Sequence, residues 1–344
     1  MSAERQWVVA VVGALGMVGA EMIKTLGERS FPVKELRPLD LESRARETVS
    51  FAGRPVKVLP AKAEAFAGVD IALFSAGSEA SLSLAPEAVR RGAVVIDNSA
   101  AWRMDPKCPL VVPEVNPHDL KWHAGIIANP NCSTIQMVVA LKPLHDRARI
   151  QRIVVSTYQA TSGAGQGGVA DLEAQARAWS RGEEAPKPRQ FPHPIAFNLI
   201  PQIDVFLEGG YTKEELKMVN ETKKIMGDPS IRVTATCVRV PVFYGHSEAV
   251  NIQTQRKLEV EEARELLRRA PGVTVIDEPA DKKYPMPAMT AHTDAVYVGR
   301  IRADDTIENG LNLWIVSDNV RKGAALNAVQ IAEMMVKMKL LGGL

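Results

Sequence analysis

The feature that most constrains this chain is a strand, a glycine turn and a helix in immediate succession near its start. Trp7–Val12 reads WVVAVV, a buried-strand pattern; GALGMVG follows, and residues 20–28 carry a helical pattern. Gly13, Gly16 and Gly19 therefore stand in a G-x-x-G-x-x-G spacing at the seam. Glycines there permit a tight turn and let backbone approach a pyrophosphate at the positive end of a helix. A strand–helix turn can also require glycine for packing alone. The surrounding alternation favours the dinucleotide.

Strand patterns recur at 35–39, 56–59, 69–74 and 93–96, with a helix at 79–91 closed by Gly92. Strand–helix alternation of this kind implies an α/β fold with a doubly wound parallel sheet. The character changes after Cys132, where longer strands are expected at 153–158, 232–240 and 248–254. A Pro-, Gly- and charge-rich stretch at 182–194 reads as an exposed excursion. Residues 323–339 read as one amphipathic helix, with Leu326, Val329, Ile331 and Met335 among its apolar positions, packing back on the first domain. A chain of 344 residues exceeds what one hydrophobic core normally takes. The expected division is a dinucleotide-binding domain of 1–131 plus 322–344, and a middle α+β domain of 132–321 with a mostly antiparallel sheet.

Composition narrows the class. The 42 basic and 40 acidic residues nearly cancel and form no basic block, so nucleic acid is not the expected partner. No apolar run approaches a membrane span, and no apolar leader precedes the first strand, so a cytoplasmic protein is expected. Cys108, Cys132 and Cys237 are scattered without metal-like spacing; neither a disulfide framework nor a metal site is expected.

Cys132 has the most suggestive setting of the three. In IIANPNCSTIQMVVALKPLHDRA an apolar run ends in Asn-Pro-Asn, and a helical pattern begins at the thiol. Free N–H groups and the macrodipole at a helix start favour a thiolate, the nucleophilic form, and can hold an oxyanion on a carbonyl attached to it. A small buried cysteine is the competing interpretation. Cys237 alternates within a strand and reads as core. A thiol nucleophile needs an acid/base partner, and His246 in CVRVPVFYGHSEAV, after Gly245, is the candidate. Arg239, near the same sheet end, has the bidentate fork that suits a carboxylate. Each is also an ordinary residue for a solvated turn.

The motifs NPNCSTIQ at 129–136, STYQATSGAG at 156–165 and RVPVFYGHSE at 239–248 resemble the aspartate-β-semialdehyde dehydrogenase family. So do VVPEVN at 111–116, NETKKI at 220–225, VGRIR at 298–302, GALGMVG and SDNVRKGAALNAVQIAE, in order over essentially the whole chain. The resemblance implies a Rossmann-type NAD(P)-binding domain and a glyceraldehyde-3-phosphate dehydrogenase-like C-terminal domain. It implies reduction of L-aspartyl-4-phosphate to aspartate semialdehyde with NADPH through a thioester on Cys132, with His246 as acid/base. Gln159 would orient the substrate, Arg239 hold its carboxylate, Glu221 its amino group, and Arg103 and Lys224 its phosphate. Leu15, Gly16, Met17 and Val18 fall on the family's cofactor loop. Ser162, Gly163 and Asn319 fall on its nicotinamide-side contacts. A homodimer or homotetramer is implied, paired through the outer face of the middle domain's sheet.

Cofactor preference stays open at this stage. A ribose-binding acid is expected about 20 residues past the glycine loop, where Asp40 stands and favours NAD(H). Ser43 and Arg44 follow in PLDLESRAR and suit a 2′-phosphate, hence NADP(H); the family usually shows a small-residue run ending in Arg-Ser there. Three other activities compete. N-acetyl-γ-glutamyl-phosphate reductases act on a substrate without a free amino group, which leaves Glu221 without purpose. Malonyl-CoA reductase-like enzymes need no phosphate-binding pair. A non-catalytic dinucleotide sensor needs neither Cys132 nor His246 nor Arg239.

Overall fold

The computed structural model describes residues 5–341. The chain divides into two compact units, Met1–Pro130 with Ala324–Leu344, and Asn131–Gly323. The first unit begins with β1 (Trp7–Val12), α1 (Met17–Glu28), β2 (Val33–Asp40), β3 (Thr48–Phe51), β4 (Arg54–Lys57), β5 (Leu59–Pro60), β6 (Ile71–Phe74), α2 (Gly77–Arg90), β7 (Val94–Asp97) and β8 (Ile126–Ala128). Its main sheet runs β5-β2-β1-β6-β7-β8, parallel throughout. Strand order reverses direction beside β1, and the glycine loop leaves β1 at that point, where ligands of doubly wound sheets bind.

Two local expectations change. Residues 56–59 do not form one strand. Ala52 and Gly53 both take left-handed φ, 48° and 75°, and close a tight hairpin that pairs β3 with β4 outside the main sheet. Leu59–Pro60 then pairs with β2 as a separate edge. Helix α1 also starts at Met17 instead of residue 20, so Gly19 lies within its first turn. A Cβ on Gly19 would sit 2.1 Å from the Gly13 carbonyl oxygen. Close strand–helix packing therefore requires glycine here, because no rotamer can relieve a clash with backbone.

The second unit holds α3 (Cys132–Ala148), β9 (Ile150–Gln159), α4 (Gly165–Ser180), α5 (Lys213–Met226), β10 (Arg232–Arg239), β11 (His246–Thr254), α6 (Val260–Arg269), β12 (Val273–Val275), α7 (Pro287–Thr290), β13 (Val296–Asp304) and β14 (Gly310–Ser317). Its sheet runs β10-β9-β11-β14-β13-β12. The β9–β11, β11–β14 and β13–β14 pairs are antiparallel; β9–β10 and β12–β13 are parallel. Because β9 and β10 run together, Gln159 and Arg239 are register partners at their ends. Because β11 runs opposite, it starts at that same end, and His246 is its first residue instead of a turn residue before it. Gly245, at φ 90°, makes the turn. Residues 182–194 contain no helix or strand, yet the Asp171 carboxylate ties them down, accepting from the N–H groups of Arg189 and Gln190.

The C-terminal expectation of a single helix is refined. Arg321–Ala325 is a π-helical turn, and α8 (Leu326–Lys337) follows. Its apolar face, with Ala328, Val329, Ile331 and Met335, belongs to the same core as Trp7, Val9, Met22 and Leu26. Gly19→Ala should lower the urea-unfolding free energy by about 1–3 kcal/mol, the usual cost of overpacking. An unchanged midpoint and slope would show that the turn can relax.

Candidate active site

Cys132 is the first residue of α3, and Asn131 is its N-cap. The Asn131 Oδ1 accepts from the backbone N–H groups of Ser133 (3.0 Å) and Thr134 (3.3 Å). The helix start is thereby ordered around the thiol. Gly323 lies against the cysteine: a Cβ there would sit 2.8 Å from the Cys132 Cβ. The other thiols differ. Cys108 and Cys237 are buried, and burial pushes the Cys237 thiol far up, with Glu214 adding to it.

The sheet end beside Ala160 gathers the other groups. His246 is wholly buried, and its Nδ1 accepts from the Ala160 N–H at 3.0 Å. The Ala160 carbonyl accepts from Arg239 Nη1 at 2.7 Å. Burial lowers the His246 pKa well below its ordinary value, and the Arg239 charge lowers it further. The ring is therefore neutral near pH 7. Since Nδ1 is an acceptor, the single proton sits on Nε2, which has no hydrogen-bond partner among the described residues. Gly163 faces both groups. A Cβ there would lie 2.6 Å from Arg239 Nη1 and 3.2 Å from His246 Nε2, so glycine keeps that space open. Arg239 also interacts electrostatically with Cys132.

Helix α5 supplies the acidic and basic groups expected from NETKKI. Glu221 is buried, and its Oε2 accepts from the Asn131 backbone N–H at 2.7 Å, one residue before the thiol. Lys224 lies one turn further along the same helix. Gln159 is buried, with its Nε2 donating to Glu214 Oε1 at 3.3 Å. Ser162 Oγ and the Gly245 N–H both donate to Asn319 Oδ1, at 3.1 and 2.9 Å. That arrangement turns the Asn319 NH₂ away from them. Cys132, Gln159, Ser162, Gly163, Glu221, Lys224, Arg239, His246 and Asn319 thus all lie in the second unit.

The remaining site residues lie in the first unit. Arg103 follows β7, with Nε donating to the Asn129 carbonyl (3.0 Å) and Nη2 to the Asn98 carbonyl (2.9 Å). The glycine loop and Gly16, the N-cap of α1, offer no side-chain cap to the helix's first N–H groups, as a phosphate-binding turn requires. Gly13 has φ 80°, and a Cβ on it would meet the Ser75 carbonyl oxygen at 2.4 Å. Beside the loop lies a cavity of ≈ 490 Å³ whose lining includes Gly13, Gly16, Asp40, Arg44, Lys62 and Ser75. These residues fit a dinucleotide. Asp40 is partly committed elsewhere: Oδ2 accepts from the Leu15 N–H and Oδ1 from the Leu41 N–H, at 2.9 and 2.8 Å. Ser43 is exposed and does not line the cavity, whereas Arg44 does.

Sequence reasoning missed Asn131, Glu214, Ala160 and Lys62. Asn131 carried a usable signal, an N-cap residue type directly before the helical pattern. Lys62 follows the short edge strand and joins Arg44 only through the sheet's topology. Among the described residues no cluster of His, Cys, Asp or Glu is placed to hold a metal, and no helix is long and apolar enough to cross a membrane.

The fold and site define a class of nicotinamide-dependent enzyme with a cysteine nucleophile, and the comparisons agree. Residues 8–123 match the model "Semialdehyde dehydrogenase, NAD binding domain", and residues 141–322 match "Semialdehyde dehydrogenase, dimerisation domain". An aspartate-semialdehyde dehydrogenase of Aquifex aeolicus is 59% identical over 333 residues, covering 96% of this chain and 98% of that one. One from Bacillus subtilis is 53% identical over 340 residues, covering 96% and 98%. The crystal structure of aspartate semialdehyde dehydrogenase II from Vibrio cholerae, complexed with ASA, superposes with a TM-score of 0.94 at 49% identity, covering 97% and 99%. The chain belongs to the aspartate-semialdehyde dehydrogenase family.

The His246 geometry makes a spectroscopic prediction. Nitrogen NMR of the labelled protein should show one imidazole in the neutral Nε2–H tautomer from pH 6 to 8, absent in His246→Gln. If the signal lost in His246→Gln were instead that of an imidazolium or an Nδ1–H tautomer, the arrangement would be contradicted. The linkage sign follows: the unfolded ring gains a proton below about pH 6.5 and the folded ring does not. The contribution of His246 to stability is present above that pH and falls as pH drops.

Proposed function

We propose that this chain catalyses the NADPH-dependent reductive dephosphorylation of L-aspartyl-4-phosphate to L-aspartate-4-semialdehyde. The step leads to lysine, threonine and methionine and, in bacteria, to diaminopimelate. The observation that carries the proposal is the thiol of Cys132 at the Asn131-capped start of α3, in the same unit as a sheet end bearing Gln159, Arg239 and His246.

In this mechanism the Cys132 sulfur adds to the acyl carbon, with the α3 N-terminus and Arg239 favouring its anionic form. The C–O bond to phosphate breaks, and a thioester remains on Cys132. NADPH, when bound, supplies the hydride that reduces this thioester. The C–S bond then breaks, releasing the aldehyde and returning the sulfur as thiolate. His246 serves as acid and base at one atom. Its Nε2–H gives a proton to the carbonyl-derived oxygen as negative charge develops, and Nε2 recovers it when the carbonyl re-forms. Gln159 orients the substrate. Arg239 binds the substrate carboxylate, and Glu221 binds its ammonium. Arg103 and Lys224 hold the phosphate, whose departure as a dianion needs fixed positive charge.

For the cofactor, Gly13, Leu15, Gly16, Met17, Val18 and Gly19 hold the pyrophosphate, Arg44 with Lys62 holds the 2′-phosphate, and Ser162, Gly163 and Asn319 meet the nicotinamide side. Residues 132–321 form the catalytic and dimerisation domain. A homodimer, or a tetramer built from it, is paired through the sheet face that bears Tyr158 and Trp314, whose rings lie 5.5 Å apart.

The decisive assay is phosphate-dependent reduction of NADP and of NAD with aspartate semialdehyde, run side by side. Turnover with NADP, and little with NAD, supports the whole reading. Turnover with neither, in folded protein, would overturn it. Cys132→Ser should lose nearly all turnover while still binding NADPH; retained turnover would remove Cys132 from the mechanism. Arg44→Ala should raise the KM for NADP about 10–100-fold, the loss expected for about 1.5–3 kcal/mol of charged hydrogen bonding, with NAD almost unaffected. Equal effects on both cofactors would assign Arg44 a structural role.

A further inference from the structure

Asn131, which caps the nucleophile's helix, and the substrate-orienting Gln159 share one partner that none of the steps above uses. Glu214 lies two turns before Glu221 on the same face of α5 and is buried. Its Oε1 accepts from Asn131 Nδ2 at 2.8 Å and from Gln159 Nε2 at 3.3 Å. Its Oε2 accepts from Lys217 Nζ at 3.0 Å, and Lys217 is paired in turn with Asp204 at 2.9 Å. Burial pushes this carboxyl up, but Lys217, Asn131 and Gln159 more than offset it, and the group is ionised.

An ionised carboxylate accepts hydrogen bonds and donates none. Each carboxamide that meets it must therefore present its NH₂ end, and the carbonyl end must point elsewhere. For Asn131 that direction is toward the Ser133 and Thr134 N–H groups, which caps α3 at Cys132. A flipped Asn131 would set its NH₂ against those donors and uncap the helix. For Gln159 the same constraint turns Oε1 away from Glu214 as an acceptor. We propose that Glu214 is a positioning residue that fixes the hydrogen-bonding sense of both carboxamides, and so the placement of the Cys132 sulfur and of the Gln159 acceptor.

The inference rests on the proposed reaction for its kinetic arm only. The test exchanges donor and acceptor. Asn131→Asp keeps an acceptor able to cap α3 but sets two carboxylates against each other. Glu214→Gln combined with it can set its NH₂ where Oε1 stood, restoring a donor facing the introduced carboxylate while its carbonyl oxygen keeps Lys217; Gln159 then meets a donor, so the rescue concerns the Asn131 side alone. Expected are a loss of kcat of at least ~10-fold in Asn131→Asp and a gain of ~10-fold over that variant in the double variant, with KM for NADP unchanged throughout. Alkylation of Cys132 by iodoacetamide, located by mass spectrometry without substrate or cofactor, should follow the same order. A double variant no faster than Asn131→Asp in alkylation, with equal thermal midpoints, would overturn the proposal. So would Glu214→Leu that stays folded with wild-type alkylation. Because alkylation needs no turnover, these outcomes decide the role of Glu214 even if the wild-type protein fails to act on aspartate semialdehyde.

Discussion

The second unit's chemistry depends on one peptide residue, Ala160. Its N–H fixes the His246 ring through Nδ1, and its carbonyl fixes the Arg239 guanidinium. Ala160 directly follows Gln159, whose carbonyl accepts from the Val240 N–H. A parallel strand on one side of β9 and an antiparallel strand on the other bring an end and a beginning to the same edge. No hairpin connection alone would do this. A mixed sheet therefore matters here: it lets two residues, each about 80 positions along the chain from Ala160, share it as one backbone anchor. The anchor is also chemically selective. A backbone N–H can only donate, so it leaves a neutral imidazole one way to carry its proton, outward on Nε2.

The charges around this anchor are buried, and buried charge is costly unless paired. Arg239, Glu214, Lys217 and Asp204 form a graded series from interior to surface, in which Glu214 and Lys217 are joined directly and Lys217 reaches the exposed Asp204. Burial lowers the Arg239 pKa, while Glu214 raises it again, ahead of Cys132. Such a network adds little net stability compared with apolar packing. Its effect is on orientation, since each member accepts only partners of one hydrogen-bonding sense. Removal of Glu214 would leave Asn131, Gln159 and Lys217 each short of an acceptor, a loss that a leucine packed in its place would not make good.

Much of this was legible in the sequence because some signals are local. Trp7–Val12, GALGMVG and the following helix depend on neighbours within a few turns, and so does the start of α3 at Cys132. The apolar face of α8 declared itself by periodicity. What failed to show was set by partners far away in the chain. The strand read at 56–59 splits because Ala52 and Gly53 turn the chain without the Asn-Gly signature that marks most such hairpins. His246 looked like a turn residue because only pairing with Ser317 makes it part of β11. Glu214 resembled any acid in the first turn of a helix, and its partners Asn131 and Gln159 lie 83 and 55 positions away.

Asp40 shows how a residue can occupy an expected position for a different reason. An acid after the second strand is the usual mark of a free ribose 2′-hydroxyl. Here one carboxylate oxygen holds the Leu15 N–H inside the glycine loop, and the other closes on its own neighbour's N–H at Leu41. The loop thus gains a side-chain brace from the adjacent strand. What remains at the cavity edge is two cations, Arg44 and Lys62, and one acid, Glu42; Lys62 is paired with Glu42, and Arg44 with Glu47, which does not line the cavity. Those glutamates hold the two cations in place. A 2′-phosphate carries more charge than a single carboxylate and competes well for the same donors. A neutral ribose hydroxyl would gain little from them. The acid that suggested NAD in the sequence thereby becomes part of the scaffold for a site whose exposed chemistry suits NADP.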